Sequence, residues 1–282
     1  MKKLFNFALV VPVIIYSIFL IALPILYIFI LSFLKNDFYG GIINEVTLNN
    51  YLSLLDFVYL KVFLKSFLVA LITTILCIII AYPFCIFVSK KSSYAKKIFM
   101  TLVIIPFLTN SLIRTYGIII LLRKEGIINI LLQSLNIIDN PIQLMYNDFG
   151  IIFGMVYTLL PFMILPLFSS VDKINPSIIE AASDLGANKS KIFKEIILPQ
   201  TIPGLFNGSL MVFIPTIGFF FISDIIGGGK LMLLGNLIKN QFLTARNWPF
   251  GAAISIILIL ITFCLVKIYK KLGGDMDELG GF

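Results

Sequence analysis

The chain has 282 residues, 59% hydrophobic and 13% charged, with a mean hydropathy of +1.03 and a net charge of +8. That is about half the charged fraction of a soluble domain, so the composition indicates an integral membrane protein. Basic residues flank apolar stretches without forming a stripe, histidine is absent, and Cys77, Cys85 and Cys264 lie in apolar stretches without ligand spacing; nucleic-acid binding, zinc, disulfides and histidine catalysis are set aside.

Crossing about 30 Å of hydrocarbon takes roughly 20 apolar helical residues. Six stretches qualify, at residues 7–34, 62–88, 98–122, 150–168, 205–222 and 250–268. The first follows Lys2 and Lys3; it exceeds a signal-peptide core and no small-x-small cleavage site follows, so it is expected to be an uncleaved span. Lys90, Lys91, Lys96 and Lys97 crowd the connection after the second span. Lys173, Lys189, Lys191 and Lys194 occupy the loop after the fourth, and Lys267, Lys270 and Lys271 follow the last. With alternating spans all these groups share one side, which the positive-inside rule makes cytoplasmic together with both termini. The opposite loops are longer and carry Lys35, Lys61, Arg123, Lys124, Lys239 and Arg246. Residues 272–282 form a short tail, and one domain, 1–282, accounts for the chain.

The third span contains Arg114. A cation there is costly unless paired, so it is assigned to structure, paired with a partner carboxylate or backbone carbonyls. Pro161 and Pro166 in the fourth span and Pro215 in the fifth introduce bends of the kind that line a pathway or a packing seam.

The polar loop 172–199 interrupts the apolar pattern with NPSIIEAASDLGANKSKIFKEIILP. Asn175 caps a helix that Pro176 begins, although Ser177 and Glu180 also fit a capping box two residues later. Ile178, Ala181, Ala182 and Leu185 recur at helical spacing and form a face for close contact. Gly186 stops the helix, and Asn188 caps a second one that turns Ile192, Phe193, Ile196 and Ile197 one way and keeps Lys189, Lys191, Lys194 and Glu195 wet. Pro199 is expected to end it. Such a helix pair either lies on the membrane surface or projects as a rigid body for a partner.

At the outer end of the fifth span, Phe219, Phe220 and Phe221 precede Asp224, and Pro215 and Gly218 precede them. A carboxylate beside rings suits an ammonium, by charge and by cation–π attraction. The alternative is that Asp224 meets water or pairs with Lys230. Tyr157, Tyr116 and Trp248 are further pathway candidates, or members of an interfacial aromatic belt.

The loop resembles the signature of ABC importer permeases: Glu-Ala-Ala, three residues, Gly, nine residues, Ile, one residue, Leu-Pro, met here by Glu180, Ala181, Ala182, Gly186, Ile196, Leu198 and Pro199. The match decides for docking over the membrane surface. Further blocks are similar to the polyamine branch of these permeases, the PotB type: Ile105-Pro106-Phe107, Leu112 to Gly117, Tyr157 to Pro166, Phe221-Ile222-Ser223-Asp224 with Gly227-Gly228, and Gln241-Phe242 with Asn247 to Ala253. The resemblance implies an all-α polytopic fold of six transmembrane helices, of the type I ABC importer kind, with a coupling-helix loop. It implies an ATPase-docking set of Glu180, Ala181, Ala182, Asp184, Gly186, Ile196, Leu198 and Pro199; the substrate pathway expected from the residues' own chemistry includes Asp224, Phe220, Phe221, Tyr157 and Trp248. The implied partners are a second permease (PotC type), an ATPase dimer (PotA type), an extracytoplasmic polyamine-binding protein (PotD type), membrane lipid and the polyamine, in a bacterial cytoplasmic membrane.

Gly227-Gly228-Gly229-Lys230 lacks the spacing of a phosphate-binding loop, so ATP and Mg2+ belong to a partner subunit and no cofactor is expected on this chain. No outer loop is large enough for a folded receptor. Related importers of ferric ion, thiamine or an opine-like amine share the loop and remain alternatives. A stand-alone secondary transporter would leave the loop without a role.

Overall fold

The computed structural model describes residues 11–13, 15, 16, 18–37 and 40–271. Lys2, Lys3, the start of the first expected span, the side chain of Lys270 and the tail 272–282 lie outside the described residues. Helix α1 (Leu23–Leu31) follows a π turn at Ile18–Ala22, and the two lie within the apolar segment Val11–Leu31. A hairpin of β1 (Leu34–Asn36) and β2 (Ile42–Val46) follows, then the short α2 (Asn49–Ser53) and the long α3 (Phe57–Ser89).

Along α3, Leu64, Leu68, Leu71, Ile75 and Ile79 recur at helical spacing and are between 45% and 72% exposed. The opposite stripe, Thr73, Cys77, Ala81, Cys85 and Val88, is buried. A long helix that turns its larger apolar side chains outward and its smaller, partly polar ones inward is arranged for a hydrocarbon solvent. Helices Asp148–Asp172, Lys189–Gly218 and Trp248–Ile268 share that length and apolarity with α3 and Val11–Leu31.

The stretch expected to form the third span is bent. Helices α4 (Ser93–Leu108) and α5 (Ser111–Leu122) replace the straight helix expected at 98–122, and the chain turns by 97° between them. Thr109 is extended, its hydroxyl donating to the Pro106 carbonyl at 2.6 Å, and the Asn110 side chain accepts from the Leu112 N–H to start a new helix. Helix α6 (Ile127–Ser134) continues this arm.

The fifth span also differs from expectation. After α7 (Asp148–Asp172) and the loop helix α8 (Pro176–Asp184), α9 (Lys189–Ile192) runs through a π turn at Phe193–Ile197 into α10 (Leu198–Gly218). Phe219 is extended and breaks the chain before α11 (Phe220–Gly227). Asp224 therefore sits in a separate short helix, beyond a span that ends at Gly218. Helices α12 (Leu234–Leu243) and α13 (Trp248–Lys271) complete the fold.

The chain packs as two units. The first combines the described residues up to Val62 with Leu237–Phe263. Its hairpin is an addition to the all-helical expectation: a bulge lies between Leu34 and Lys35, and Lys35 pairs with Glu45 at 2.9 Å. The buried Asn50 amide ties α2 to it, donating to the Ser32 and Leu34 carbonyls at 2.9 and 2.8 Å. The Tyr59 and Phe250 rings pack at a tilt with centroids 4.9 Å apart.

The second unit comprises Phe63–Asn236 and the described residues from Cys264. Its centre is the antiparallel pair α7 and α10. A Cβ at Gly208 would lie 3.1 Å from the Met163 backbone, and one at Gly204 would overlap the Pro166 carbonyl and the Ser170 side chain, so glycine there is a condition of close helix approach. One core cluster gathers Cys77, Cys85, Leu159, Met163, Leu167 and Val212; another gathers Val69, Leu122, Ile151, Met155, Ile222 and Ile226.

Candidate functional site

The loop 175–199 is built largely by local chemistry. Asn175 Oδ1 accepts from the Ser177 N–H at 3.1 Å and its hydroxyl at 2.8 Å, so α8 starts at Pro176 and the alternative capping box is not used. At the far end the Ala187 N–H bonds to the Ala182 carbonyl and the Gly186 N–H to the Ser183 carbonyl, the reciprocal pattern of a Schellman stop. That pattern needs a left-handed residue, and Gly186 supplies φ +83°. Asn188 Oδ1 accepts from the Lys191 N–H at 2.9 Å and caps α9.

The expected stop at Pro199 does not occur. Leu198 donates its N–H to the Phe193 carbonyl, five residues back, and the helix continues through Pro199 as one element from Lys189 to Gly218. The π turn widens the ladder where proline lacks a donor, and Pro199 falls in the first turn of α10, where a proline is tolerated. The second loop helix is thus the end of a span, not a separate short rod. The buried side of the rod is as expected: Ile192 is buried, Phe193, Ile196 and Ile197 are half-buried, and Lys189, Lys191, Lys194 and Glu195 are exposed.

Helix α8 presents two faces. Ile178, Ala181 and Leu185 point away from the fold, with Leu185 89% exposed, while Ala182 is half-buried. Pro176, Ile179, Glu180 and Ser183 line a cavity on the inner side. Of the docking candidates, Glu180, Ala181, Asp184, Gly186 and Pro199 are exposed, and Ile196 and Leu198 are half-buried. At the base of the loop Lys96, near the start of α4, pairs with Asp172 at the end of α7 at 2.5 Å. Tyr82 on α3 adds a second tie, hydrogen-bonding Thr201 and meeting Phe193 in the π turn edge to face at 5.3 Å.

Asp224 is half-buried on α11. Its Oδ1 accepts from Asn236 Nδ2 at 2.6 Å, and the same amide donates to the Phe220 carbonyl at 3.0 Å and accepts from the Leu233 N–H at 3.1 Å. Ser223 Oγ donates to the Leu231 carbonyl and Ser66 Oγ accepts from the Leu234 N–H, both within 2.8 Å. Asn236 was not among the sequence candidates. Its signal is a lone amide in an apolar run, two residues after the start of α12, and it is 2% exposed.

The aromatic candidates are partly brought together. The Phe219 and Phe221 rings meet edge to face at 5.1 Å, and Phe220 and Phe221 at 6.4 Å, beside the chain break and one turn before Asp224. Tyr157 on α7 is 44% exposed, and Trp248 opens α13 in the first unit. Arg114 lies on α5 just after the bend; its guanidinium is 5.6 Å from the Phe107 ring centre, and its buried Nε has no hydrogen-bond partner among the described residues. No group of three or more potential metal ligands occurs among the described residues.

Comparison with known proteins bears on this arrangement. The family model for the binding-protein-dependent transport system inner membrane component matches residues 3–276. The chain is 43% identical over 263 residues to the spermidine/putrescine transport system permease protein PotB of Escherichia coli (strain K12), covering 93% of this chain and 96% of that one. It is 41% identical over 254 residues to PotB of Haemophilus influenzae, covering 90% and 89%. Among solved structures, a bacterial alginate ABC transporter in complex with alginate pentasaccharide-bound periplasmic protein superimposes with a TM-score of 0.72 over 95% of this chain and 93% of that one. At 13% identity that likeness speaks for the fold alone.

Proposed function

Because the chain belongs to the family of inner membrane components of binding-protein-dependent transport systems, we propose that it is the membrane permease of an ATP-driven importer of spermidine and putrescine. The observation that carries the cargo is the 43% identity to PotB over nearly the full length of both chains. The mechanism rests on geometry: a signature loop whose outer face is open, and whose second helix is continuous with a span.

In this reading the open face of α8, with Ala181 permitting close approach and Gly186 setting the turn, seats in a groove of a separate ATPase. ATP and Mg2+ bind there and not on this chain. Closure of the ATPase dimer moves the loop, and the Lys189–Gly218 helix carries the displacement to the break at Phe219. A second permease of the PotC type completes the pathway, and a PotD-type receptor delivers polyamine from outside. The loop and both termini face the cytoplasm, in keeping with the lysines at Lys90, Lys91, Lys96 and Lys97 and around the loop. Asp224, held by Asn236 beside Phe220 and Phe221, is the candidate ammonium site.

The test is uptake of labelled spermidine and putrescine by cells carrying this permease with its partner subunits, against cells lacking it. Uptake dependent on this chain and on an intact ATPase is expected; equal uptake in both cells refutes the cargo.

A further inference from the structure

Behind the loop lies a cavity of about 900 Å3. Its inner wall is apolar, formed by residues such as Ile86, Val171, Ile192 and Phe193, while Lys90, Lys96 and Lys189 stand among its polar lining with Asp172 and Glu180. A second hollow of about 510 Å3 shares Ile86, Lys90 and Phe193 with the first and is completed by Tyr82, Pro83 and Phe87. Lys96 is taken by Asp172. Lys90 and Lys189 have no ion-pair partner among the described residues, and Lys91 adds a third ammonium 4.3 Å from the Phe87 ring centre.

We propose that these adjoining hollows bind one anionic phospholipid, its phosphate at the rim of Lys90 and Lys189 and an acyl chain in the groove of Tyr82, Pro83 and Phe87. The first reason is chemical. An apolar trough that opens onto unpaired ammonium groups matches an amphiphile with a negative head, and basic pockets between span ends are where such heads bind. The second is depth. Pro83 lies six residues inside the end of α3 at Ser89, about 9 Å along the axis. A water-soluble subunit seated on the loop stops at the membrane surface, whereas a hydrocarbon chain occupies that depth at no desolvation cost. The third is position: Phe193 belongs to both hollows and to the π turn, so an occupant touches the element joining loop to span. The inference rests on the cytoplasmic placement proposed above, since anionic lipid concentrates in that leaflet.

The experiment uses the permease with its partner subunits, reconstituted in nanodiscs of phosphatidylglycerol or phosphatidylcholine, released into detergent and weighed by native mass spectrometry. Wild type is expected to retain phosphatidylglycerol in preference to phosphatidylcholine. Lys90→Gln with Lys189→Gln lowers that retention about 25-fold, or about fivefold per lysine at roughly 1 kcal/mol each. Ile86→Trp, which fills the groove and keeps both lysines, also lowers it; Lys97→Gln, outside the lining, leaves it unchanged. Equal retention of the two lipids, or undiminished retention in both the lysine and the tryptophan variants, overturns the proposal. So does loss of the ATPase from the lysine variant with its lipid count intact, which makes the cavity a protein interface. Failure of the ATPase to accompany the wild type appears in the same spectra as a missing mass and counts against the docking reading, while the lipid count still decides this one.

Discussion

Asn236 holds Asp224 by a 2.6 Å hydrogen bond from its amide, and the same amide closes two backbone bonds, to Phe220 and Leu233. One buried side chain therefore fixes the carboxylate, the break before α11 and the approach to α12 together. Bonds to an ionised acceptor contribute about 1.5–3 kcal/mol each, and orphaning their buried partners costs a similar amount. Asp224→Asn keeps the shape and removes the charge. Its expected effect is a rise of about tenfold or more in the KM for spermidine uptake at unchanged membrane abundance. Unaltered uptake by this variant refutes the ammonium site.

Gly186 is tested separately, because its role is conformational. At φ +83° a side chain costs about 1–2 kcal/mol and shifts the Schellman stop. A Cβ there would meet no atom beyond its chain neighbours, so the strain stays in the local backbone and does not reach the packing of the fold. Gly186→Asp is expected to insert normally and to lose most ATP-coupled uptake, measured at matched abundance. Wild-type uptake by that variant counts against the docking role.

The π turn at Phe193–Ile197 yields a deletion test. Removing Lys194, an exposed residue within it, allows the ladder to close as ordinary α-helix and disturbs the packing of Tyr82 on Phe193 that ties the turn to α3. Membrane insertion persists and the ATPase no longer co-purifies. Retention of the ATPase at wild-type stoichiometry argues that the turn has no part in presenting the loop.

Gly204 carries a stability prediction. Ala at this position forces α10 away from Pro166 and Ser170 on α7. Overpacking of that kind costs about 1–3 kcal/mol, so Gly204→Ala should lower the melting temperature of the detergent-solubilised protein by several degrees. An unchanged melting temperature means that the two helices separate freely at this level.

Much of the loop was legible because its signals are local. Asn175, Gly186 and Asn188 act on groups within five residues, so reading caps and stops from sequence reaches the structure directly. Pro199 misled for the opposite reason: whether a proline ends a helix depends on how the turn before it is wound, and Tyr82, from a distant helix, packs on that turn through Phe193. The 97° bend after Leu108 was hidden under continuous hydropathy. The apolar run masks Asn110, a good cap that reads as a polar residue tolerated within a span. Asn236 went unnoticed because its partners are recruited from residues 220, 224 and 233, on a different helix and the loop before it, so no local signal announces them. Hydropathy therefore marked five long apolar helices and the stretch that forms the bent pair, while the local bonds of Thr109 and Asn110 that break that stretch, and the break at Phe219, leave no trace in it.

The helix from Lys189 to Gly218 spans about 45 Å, and Asp224 follows it after one extended residue and a single helical turn. When two binding events act on the same moving element, each must change the affinity of the other by an identical factor. On the proposed function, occupancy near Asp224 would register at the loop, through the break at Phe219, as a change in how tightly the ATPase holds it, so an empty pathway and a loaded one would present two different affinities. A pump built this way can restrain idle ATP consumption without a dedicated sensor, because the cargo itself weights the engagement of the motor.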